Sequence, residues 1–348
     1  MLKRLLIIVL GLYALTSCME NHPTPVGPQQ MVFSAVASHS TKDIITTTTY
    51  PTDVPFVVES VYYNDSKKGT EGSSFMTRQR ISFDQSSGVW KPQTEHYWPE
   101  GGYIQFYAAS PDLPQVTIDP EHGVEAEWEI ANEEDAKVDL CFAETTEKCA
   151  LHPVAVPVVF YHALSQVCIK ARTLKDYSFS QKENGVIQAN AITVVLDSVR
   201  LNGVISAGHF NQELRSWTYG DPIKKADYKV FDSEEGLALK TDRYENPIFS
   251  VIGTMLIVPQ RIPEDATIDE WHHIQIRTST TDTTTGKVLS DITYSIPKFS
   301  SIPLAVYCNR LVLDYKYTIR LALGMEDSEL SATVTDWTET REIILGDE

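Results

Sequence analysis

Alternation of apolar and polar residues with a period of two dominates this chain. The clearest run is Leu311 to Leu323, in which apolar side chains occupy every second position. Successive side chains of a β-strand point to opposite faces, so this run predicts a long strand with one buried face. Shorter runs predict further strands at 56–63, 103–109, 156–171, 192–204, 249–258, 272–278 and 331–337.

Turn residues separate these predicted strands, as at Gly101-Gly102, Asn202-Gly203 and Thr285-Gly286. Helical periodicity is nearly absent, so the chain is predicted to be all-β and built from antiparallel sandwiches. Its 348 residues are more than one core usually organises. We therefore predict two tandem β-sandwich domains, residues 31–150 and 151–348.

The N-terminus has the three regions of a lipoprotein signal peptide. Lys3 and Arg4 form a basic start, and Leu5 to Leu15 form an apolar segment too short to span a bilayer stably. Cys18 follows Leu15 at the spacing that lipoprotein processing enzymes read. Residues 1–17 are thus predicted to be removed and Cys18 to be lipidated. In the alternative, a secretory peptide or short membrane anchor, Cys18 is incidental.

Two polar segments flank a short strand-like piece after Cys18. Residues 18–30 contain three prolines between Asn21 and Gln30, which predicts an extended tether. The strand-like piece is Met31 to Ala37, and the threonine-rich stretch Lys42 to Asp53 separates it from the first robust strand. That stretch is predicted to be a linker open to proteases, so the short strand can be removed without a cut through the core.

The charge of the chain limits its partners. The formal net charge is -18, and a surface this acidic repels phosphate backbones and anionic headgroups. Nucleic acid is therefore not expected as a partner. Membrane association is expected through the lipid on Cys18, because no later apolar run reaches the length of a transmembrane helix.

Four cysteines follow the signal peptide: Cys141, Cys149, Cys168 and Cys308. An even number in a compartment that permits oxidation allows three disulfide pairings. Cys141 and Cys149 are placed to staple a hairpin, whereas Cys168 and Cys308 lie in apolar strand sequence and equally fit buried thiols. The disulfide state stays open, and no spacing resembles a metal site.

Catalytic motifs are missing from the sequence: it has no nucleophile elbow, zinc-protease motif, phosphate-binding loop or dinucleotide fingerprint. His162 lies in apolar sequence without a serine, cysteine or carboxylate partner identifiable from spacing. It is interpreted as a hydrogen-bonded core histidine rather than a base. We expect neither enzymatic activity nor a cofactor.

Tryptophans bear on a second class of function, a surface glycan-binding lipoprotein. Such a protein displays aromatic faces to solvent, but large aromatics in strand-like sequence are usually core or edge-sealing residues. The five concerned are Trp98, Trp128, Trp217, Trp271 and Trp337. Glycan binding therefore remains the alternative hypothesis for the function.

An ordered set of motifs resembles the fimbrillin family, in particular its minor-fimbrillin-like surface lipoproteins. The set begins with Tyr97-Trp98-Pro99, continues through Val138-Asp139-Leu140 and the segment from Met255 to Gln260, and closes at Val334-Thr335-Asp336-Trp337. It spans nearly the whole chain after the signal peptide. Each motif alone is weak, and their common order makes the resemblance.

The resemblance implies a subunit of a type V pilus, built from two transthyretin-like β-sandwiches and delivered to the outer membrane as a lipoprotein. In that family, a trypsin-like protease removes the lipid, tether and first strand, and a strand from the next subunit fills the groove. Lys42 matches the family's cleavage-site arginine, which is a departure from the pattern. Whether the subunit belongs to the stalk, tip or anchor stays open.

The same resemblance assigns the exchanged strands. The removable strand would be Met31 to Ala37, with Val32, Phe33 and Val36 as its apolar content. Its removal would uncover apolar surface worth about 1.5 to 3 kcal/mol per large side chain. The candidate donor strand contains Ile343, Ile344 and Leu345 near the C-terminus. Other fimbrillin subunits, bound by strand addition, are thus the expected partners.

Overall fold

A computed structural model describes residues 28–40, 45–64, 71–151, 153–173, 181–183, 186–188, 192–239, 249–261, 273–282, 288–296, 310–323 and 328–336. These residues form strands, loops and two short 3-10 turns, Asp135–Lys137 and Cys149–Leu151, so the all-β prediction is confirmed. The strands are β1 Phe33–Ser40, β2 Ile45–Thr49, β3 Phe56–Tyr63, β4 Ser73–Asp84, β5 Val89–Pro92, β6 Tyr103–Ser110, β7 Val116–Asp119, β8 Gly123–Glu129, β9 Cys141–Lys148, β10 Val156–His162, β11 Ser165–Thr173, β12 Gln181–Glu183, β13 Val186–Gln188, β14 Ile192–Ile205, β15 Ala207–Asn211, β16 Ser216–Thr218, β17 Lys225–Ala238, β18 Ser250–Ile257, β19 Gln260–Arg261, β20 His273–Asp282, β21 Val288–Ile296, β22 Arg310–Leu311, β23 Tyr315–Leu323 and β24 Ser328–Asp336.

The first sheet has eight strands and closes on itself. Its order is β10-β9-β6-β3-β4-β5-β1-β2, and β1 also pairs with β10. Neighbouring strands run antiparallel except at the closing pair, where β1 and β10 are parallel. Aromatic and β-branched residues, which favour the pleated conformation, dominate β3 with its sequence FVVESVYY. The closure makes β1 an integral strand of the first sheet.

The central strands of this sheet are buried on both faces. In β6, Phe106 and Ala108 belong to a core enclosed by the closed sheet, and Tyr107 and Ala109 belong to a second core on the outer face. Every residue from Ile104 to Ser110 is buried as a result. β6 is buried throughout because a core lies on each of its two faces, as in strands of sheets that are covered on both sides.

Three four-stranded sheets surround the second core. Their orders are β18-β11-β23-β24, β17-β14-β20-β21 and β16-β15-β8-β7. The last sheet joins the two halves of the chain, because β8 pairs on one side with β7, from the same segment after β6, and on the other side with β15, which lies beyond residue 200. In the parts of the chain that the structure describes, no helix has the length and hydrophobicity of a membrane span.

The predicted long strand from Leu311 to Leu323 is wrong in two respects. A turn interrupts it, and Asp314 adopts a positive φ of 64° there. From Tyr317 to Leu323 both faces are buried, and the face with Tyr317, Ile319, Leu321 and Leu323 packs in the second core. Arg320 is accommodated in this position with its guanidinium 5.6 Å from the centroid of the Phe249 ring. The alternation of apolar and polar residues in β23 therefore does not mean that its polar face is exposed to solvent.

Two predicted boundaries also differ from the structure. The threonine-rich stretch predicted as a linker contains β2, whose residues from Ile45 to Thr49 pair antiparallel with β1. The first sheet continues past the predicted boundary at residue 150, since β10 pairs with β1 and β9. Pro153 does mark a loop, but a local loop signal carries no information about the sheet to which the chain returns.

Candidate functional site

Strand β1 occupies a slot between β10 and β5 in the first sheet. Along one side, residues from Phe33 to Ala37 pair in parallel with residues from Val156 to Phe160. On the other side, Phe33 pairs with Trp90 of β5. The strand thus completes the closure of the sheet, with a ladder to the distant β10, a single pair to β5 and a ladder to the neighbouring β2.

The segment just before β1 continues this pairing. The Met31 amide donates a hydrogen bond to the His96 carbonyl at 2.8 Å, and the Trp98 amide donates to the Gln29 carbonyl at 3.0 Å. On the opposite side, the Val156 amide donates to the Val32 carbonyl at 2.8 Å. Residues 29–37 are therefore bonded along both edges, like a central strand.

The side chains of this segment alternate between the core and the outer face. Met31, Phe33 and Ala35 are buried in the core enclosed by the first sheet, and Phe33 is 1% exposed. Val32 and Val36 point away from that core and are half-buried. The sequence-based assignment of Val32, Phe33 and Val36 as the filling residues is corrected here, because a period of two puts Phe33 on one face and the two valines on the other.

Aromatic rings form the walls around Phe33. The Phe56 and Phe106 rings both meet Phe33 edge-on, with centroids 6.5 Å and 5.9 Å away. Tyr50 stacks on Phe160 at a centroid distance of 4.8 Å and packs against Trp90. Such edge-to-face and offset ring contacts stabilise the core beyond the contribution of the apolar area that the rings bury. If β1 left, the remaining groove would be lined by aromatic carbon.

The Tyr50 hydroxyl is the polar group at the end of this aromatic cluster. Burial raises the pKa of Tyr50 well above its usual value, although its hydrogen bond with the Ser110 hydroxyl acts in the opposite direction. Tyr50 and Ser110 are both buried. Two buried hydroxyls can hydrogen-bond to each other only when the side chains are placed in one particular arrangement. The bond therefore helps to fix the position of the Tyr50 side chain.

A second polar cluster lies at the same end of the first sheet. The His162 Nδ1 atom is 2.5 Å from Asp139 Oδ2 and 3.7 Å from Cys141 Sγ. His162 is 7% exposed, so its interpretation as a hydrogen-bonded core histidine is confirmed. Spacing alone did not reveal its partners, because pairing between β9 and β10 brings Cys141 opposite His162 across 21 residues.

The charges around His162 and Cys141 are carboxylates. Burial acts to lower the pKa of His162, but the charge and hydrogen bond of Asp139 and the charge of Asp314 raise it above the usual value. Burial, with the same two carboxylates, raises the pKa of the Cys141 thiol well above its usual value. Asp139 and Cys141 contact the same ring nitrogen, whereas a nucleophile–histidine–acid triad uses opposite nitrogens. The cluster does not have the geometry of an activated nucleophile.

A surface cavity of about 410 Å³ lies between β9, β10 and the β15–β16 turn. The Arg215 guanidinium lies 5.3 Å from the centroid of the Tyr161 ring, and His122 pairs with Glu213 at 2.7 Å.

The tryptophans Trp98, Trp128 and Trp217 are buried, as predicted for core residues. None of these three forms an exposed aromatic platform.

Several sequence-predicted residues lie outside the described residues. They are Cys18, Lys42, Cys308, Trp271, Trp337, Ile343, Ile344 and Leu345. Cys141, Cys149 and Cys168 are described and are free thiols, so the hairpin staple considered for Cys141 and Cys149 is not formed.

Comparisons with known proteins complete these observations. A family model described as fimbrillin-like matches residues 58–337. A fimbrial protein of Bacteroides vulgatus is similar in structure, with 14% identity, a TM-score of 0.62 and coverage of 89% of this chain and 100% of that protein. A candidate cell adhesion protein of Bacteroides ovatus has 13% identity, a TM-score of 0.49 and coverage of 92% and 100%. No curated protein matches the chain.

Proposed function

The chain belongs to the fimbrillin-like family, and we propose that it is a structural subunit of a cell-surface fimbria assembled by exchange of strand β1. The observation that carries this proposal is the position of β1. It closes the first sheet in parallel with β10, and it places Met31 and Phe33 in the core. A cut at Lys42, directly after β1, would allow this strand to leave and be replaced as one piece.

Removal of β1 creates the driving force for assembly. Loss of the Met31 and Phe33 side chains exposes apolar surface worth about 1.5 to 3 kcal/mol for each. The ladder on β10 loses its partner at the same time, so an edge of unpaired amides and carbonyls opens beside an aromatic groove. A strand from a neighbouring subunit restores both contributions by β-augmentation.

The geometry of the groove sets requirements for the donor. It must carry large apolar side chains at two positions separated by one residue, to replace Met31 and Phe33, followed by a small one at the place of Ala35. The C-terminal segment with Ile343, Ile344 and Leu345 is the candidate donor. Ile343 and Leu345 can take the two large positions, and Asp347 then falls at the place of Ala35, so the segment meets the first of these requirements and not the second.

Anchoring and processing follow from the N-terminal sequence. We propose that lipid on Cys18 holds the precursor in the outer membrane and that cleavage after Lys42 releases lipid, tether and β1 together. The cut would leave β2 at the new N-terminus, without the partner it has in the precursor. Cleavage and loss of strand pairing are thus coupled.

Limited proteolysis tests the exchange. Trypsin treatment of the full chain is expected to yield oligomers that resist detergent and dissociate on heating, seen as a ladder in gels of unheated samples. Lys42→Gln should abolish the ladder, and Lys137→Gln, at an exposed lysine elsewhere, should leave it unchanged. A ladder that persists in Lys42→Gln would show that another cut, or no cut, is responsible.

The donor is tested separately. Ile343→Asp with Ile344→Asp is expected to leave cleavage intact, as read by the mass of the product, and to prevent the ladder. Oligomers of normal size in this variant would exclude the C-terminal segment as donor. Lys42→Arg should increase cleavage by an arginine-specific protease, which addresses the departure from the family pattern.

A further inference from the structure

Strands β9 and β10, together with a residue two positions before β9, bring a set of soft and hard ligand atoms together. The pairing places Ser110 of β6 opposite Cys141 of β9, and Cys141 opposite His162 of β10. Asp139 precedes Cys141 by two residues and bonds to His162. The carboxylate oxygen, the thiol sulfur and the imidazole nitrogen all lie within 4.8 Å of one another.

We propose that Asp139, Cys141 and His162 bind a zinc ion. Thiolate sulfur, imidazole nitrogen and carboxylate oxygen are the three ligand types that zinc takes in proteins. Three protein ligands leave a fourth tetrahedral position, which water can occupy. The proposal goes beyond the fimbrial function and does not depend on it.

The observed distances are near those of a tetrahedral site. Zinc–sulfur bonds of about 2.3 Å and zinc–nitrogen bonds of about 2.0 to 2.1 Å place the two ligand atoms roughly 3.5 Å apart. Cys141 Sγ and His162 Nδ1 are 3.7 Å apart, so this edge of the tetrahedron is already formed. Asp139 Oδ2 lies closer to Nδ1, at 2.5 Å, and must move outward by somewhat less than about 1 Å to admit the ion.

Asp139 has both room and reason to move. Its side chain is 30% exposed, whereas that of His162 is 9% exposed, so the cluster opens to solvent on the Asp139 side. Its Oδ1 atom is buried and has no hydrogen-bond partner among the described residues. An unpaired buried carboxylate oxygen is costly, and a cation beside it would satisfy it. The open side also provides an entry path.

The electrostatic surroundings favour a cation. Asp314 accepts a hydrogen bond from the His162 amide at 3.2 Å and adds a second carboxylate near the cluster. Coordination requires the Cys141 thiolate and a free lone pair on His162 Nδ1. The ion therefore displaces the thiol proton and the proton shared between His162 and Asp139, and both are released to solvent.

The site also has a structural consequence for β10. The pairs between β9 and β10 are Tyr161–Phe142 and His162–Cys141, at the end of the strand, whereas its earlier residues pair with β1. An ion that joins Cys141 to His162 would clamp β10 to β9 at this junction. Bound zinc is thus expected to hold β10 in place whether or not β1 is present.

Cobalt substitution tests the site directly. The full chain, reduced and stripped of metal, is titrated with Co²⁺ and then with Zn²⁺. We expect one tightly bound cobalt with a thiolate-to-metal charge-transfer band and visible absorption of tetrahedral type, both lost on addition of zinc. Cys149→Ser is the matched control, because Cys149 is another free buried cysteine and should leave the spectrum unchanged.

Ligand variants decide the outcome. Cys141→Ser should remove the charge-transfer band, and His162→Gln should weaken zinc binding by at least the tenfold or so that even an outer-shell partner contributes. Near-ultraviolet circular dichroism establishes that each variant is folded. If Cys141→Ser does not fold, Asp139→Asn, which keeps the shape of the side chain, must show the weakened binding instead. A wild-type chain without the band, or a band that survives in folded Cys141→Ser, overturns the proposal.

Discussion

The Phe33 ring meets the Phe106 ring edge-on, with centroids 5.9 Å apart and planes at 89°. Phe106 belongs to the central strand β6, and Phe33 to the strand that closes the sheet. This contact therefore connects the proposed exchangeable strand to the middle of the core. It also explains why the identity of residue 33 should matter more than that of its neighbours.

Phe33→Ala is expected to lower the free energy of unfolding by about 3 to 5 kcal/mol, the usual cost of emptying a buried phenylalanine site. Ser34→Ala is the matched control, because Ser34 is exposed on the same strand and should change stability by less than about 0.5 kcal/mol. Urea unfolding of the two variants measures the difference. Equal midpoints would mean that β1 contributes nothing to the core.

The bond between the Tyr50 and Ser110 hydroxyls should appear as coupling between the two residues. Tyr50→Phe and Ser110→Ala each leave a buried hydroxyl without its partner, at a cost of about 1 to 3 kcal/mol. The double variant removes both groups and should be destabilised by less than the sum. A double-mutant cycle on thermal or urea unfolding measures this, and strictly additive costs would contradict the bond.

Gly102→Ala is expected to destabilise the first sheet by more than about 1 kcal/mol. Gly102 has a φ of +82°, and a Cβ atom there would lie 2.4 Å from the Tyr63 carbonyl oxygen. Gly101→Ala is the control at the adjacent position, since a Cβ there meets nothing within 4 Å. If both variants melt at the same temperature, the turn does not have this backbone conformation.

His96 should make the stability of the β1 region depend on pH. Burial lowers the pKa of His96 below its ordinary value of 6.5, so the unfolded chain binds the proton more strongly than the folded one. The free energy of unfolding should then fall as pH drops through about 6.5, and this contribution should be complete above that value. His96→Leu should reduce the loss measured between about pH 7.5 and pH 5.5.

His122 provides a control of opposite sign. A hydrogen bond to Glu213 raises the pKa of His122, so its contribution is present at low pH and is lost as pH rises. His122→Gln should thus leave the acid-induced loss unchanged or slightly larger. A smaller loss in His122→Gln than in His96→Leu would contradict the assignment of the effect to burial of His96.

Much of the fold could be predicted because alternation is a local property. The runs at 56–63 and 103–109 coincide closely with β3 and β6, and the glycine pair before β6 marks the turn where the structure has one. The predicted strand at 311–323 failed where a turn interrupts it, and the expectation of one exposed face failed because both faces of β23 are buried. Asp314 is such a turn residue, and its side chain is compatible with the left-handed conformation it adopts.

The candidate site was predicted less completely. Phe33 was identified, but its companions in the core are Met31 and Ala35 rather than Val32 and Val36. An alternating segment with apolar residues on both faces does not reveal which face is turned inward. The parallel pairing with β10 decides it, and that pairing joins residues more than a hundred positions apart.

The sequence by itself determined the all-β class, the places of most turns and the succession of strands along the chain, because these depend on the preferences of neighbouring residues. The tertiary structure alone decided which strands share a sheet, which face of β1 fills the core and that Asp139, Cys141 and His162 meet. Each of these depends on register between distant strands. A shift of one residue would turn every side chain of a strand to the opposite face, and only the packed whole selects one register.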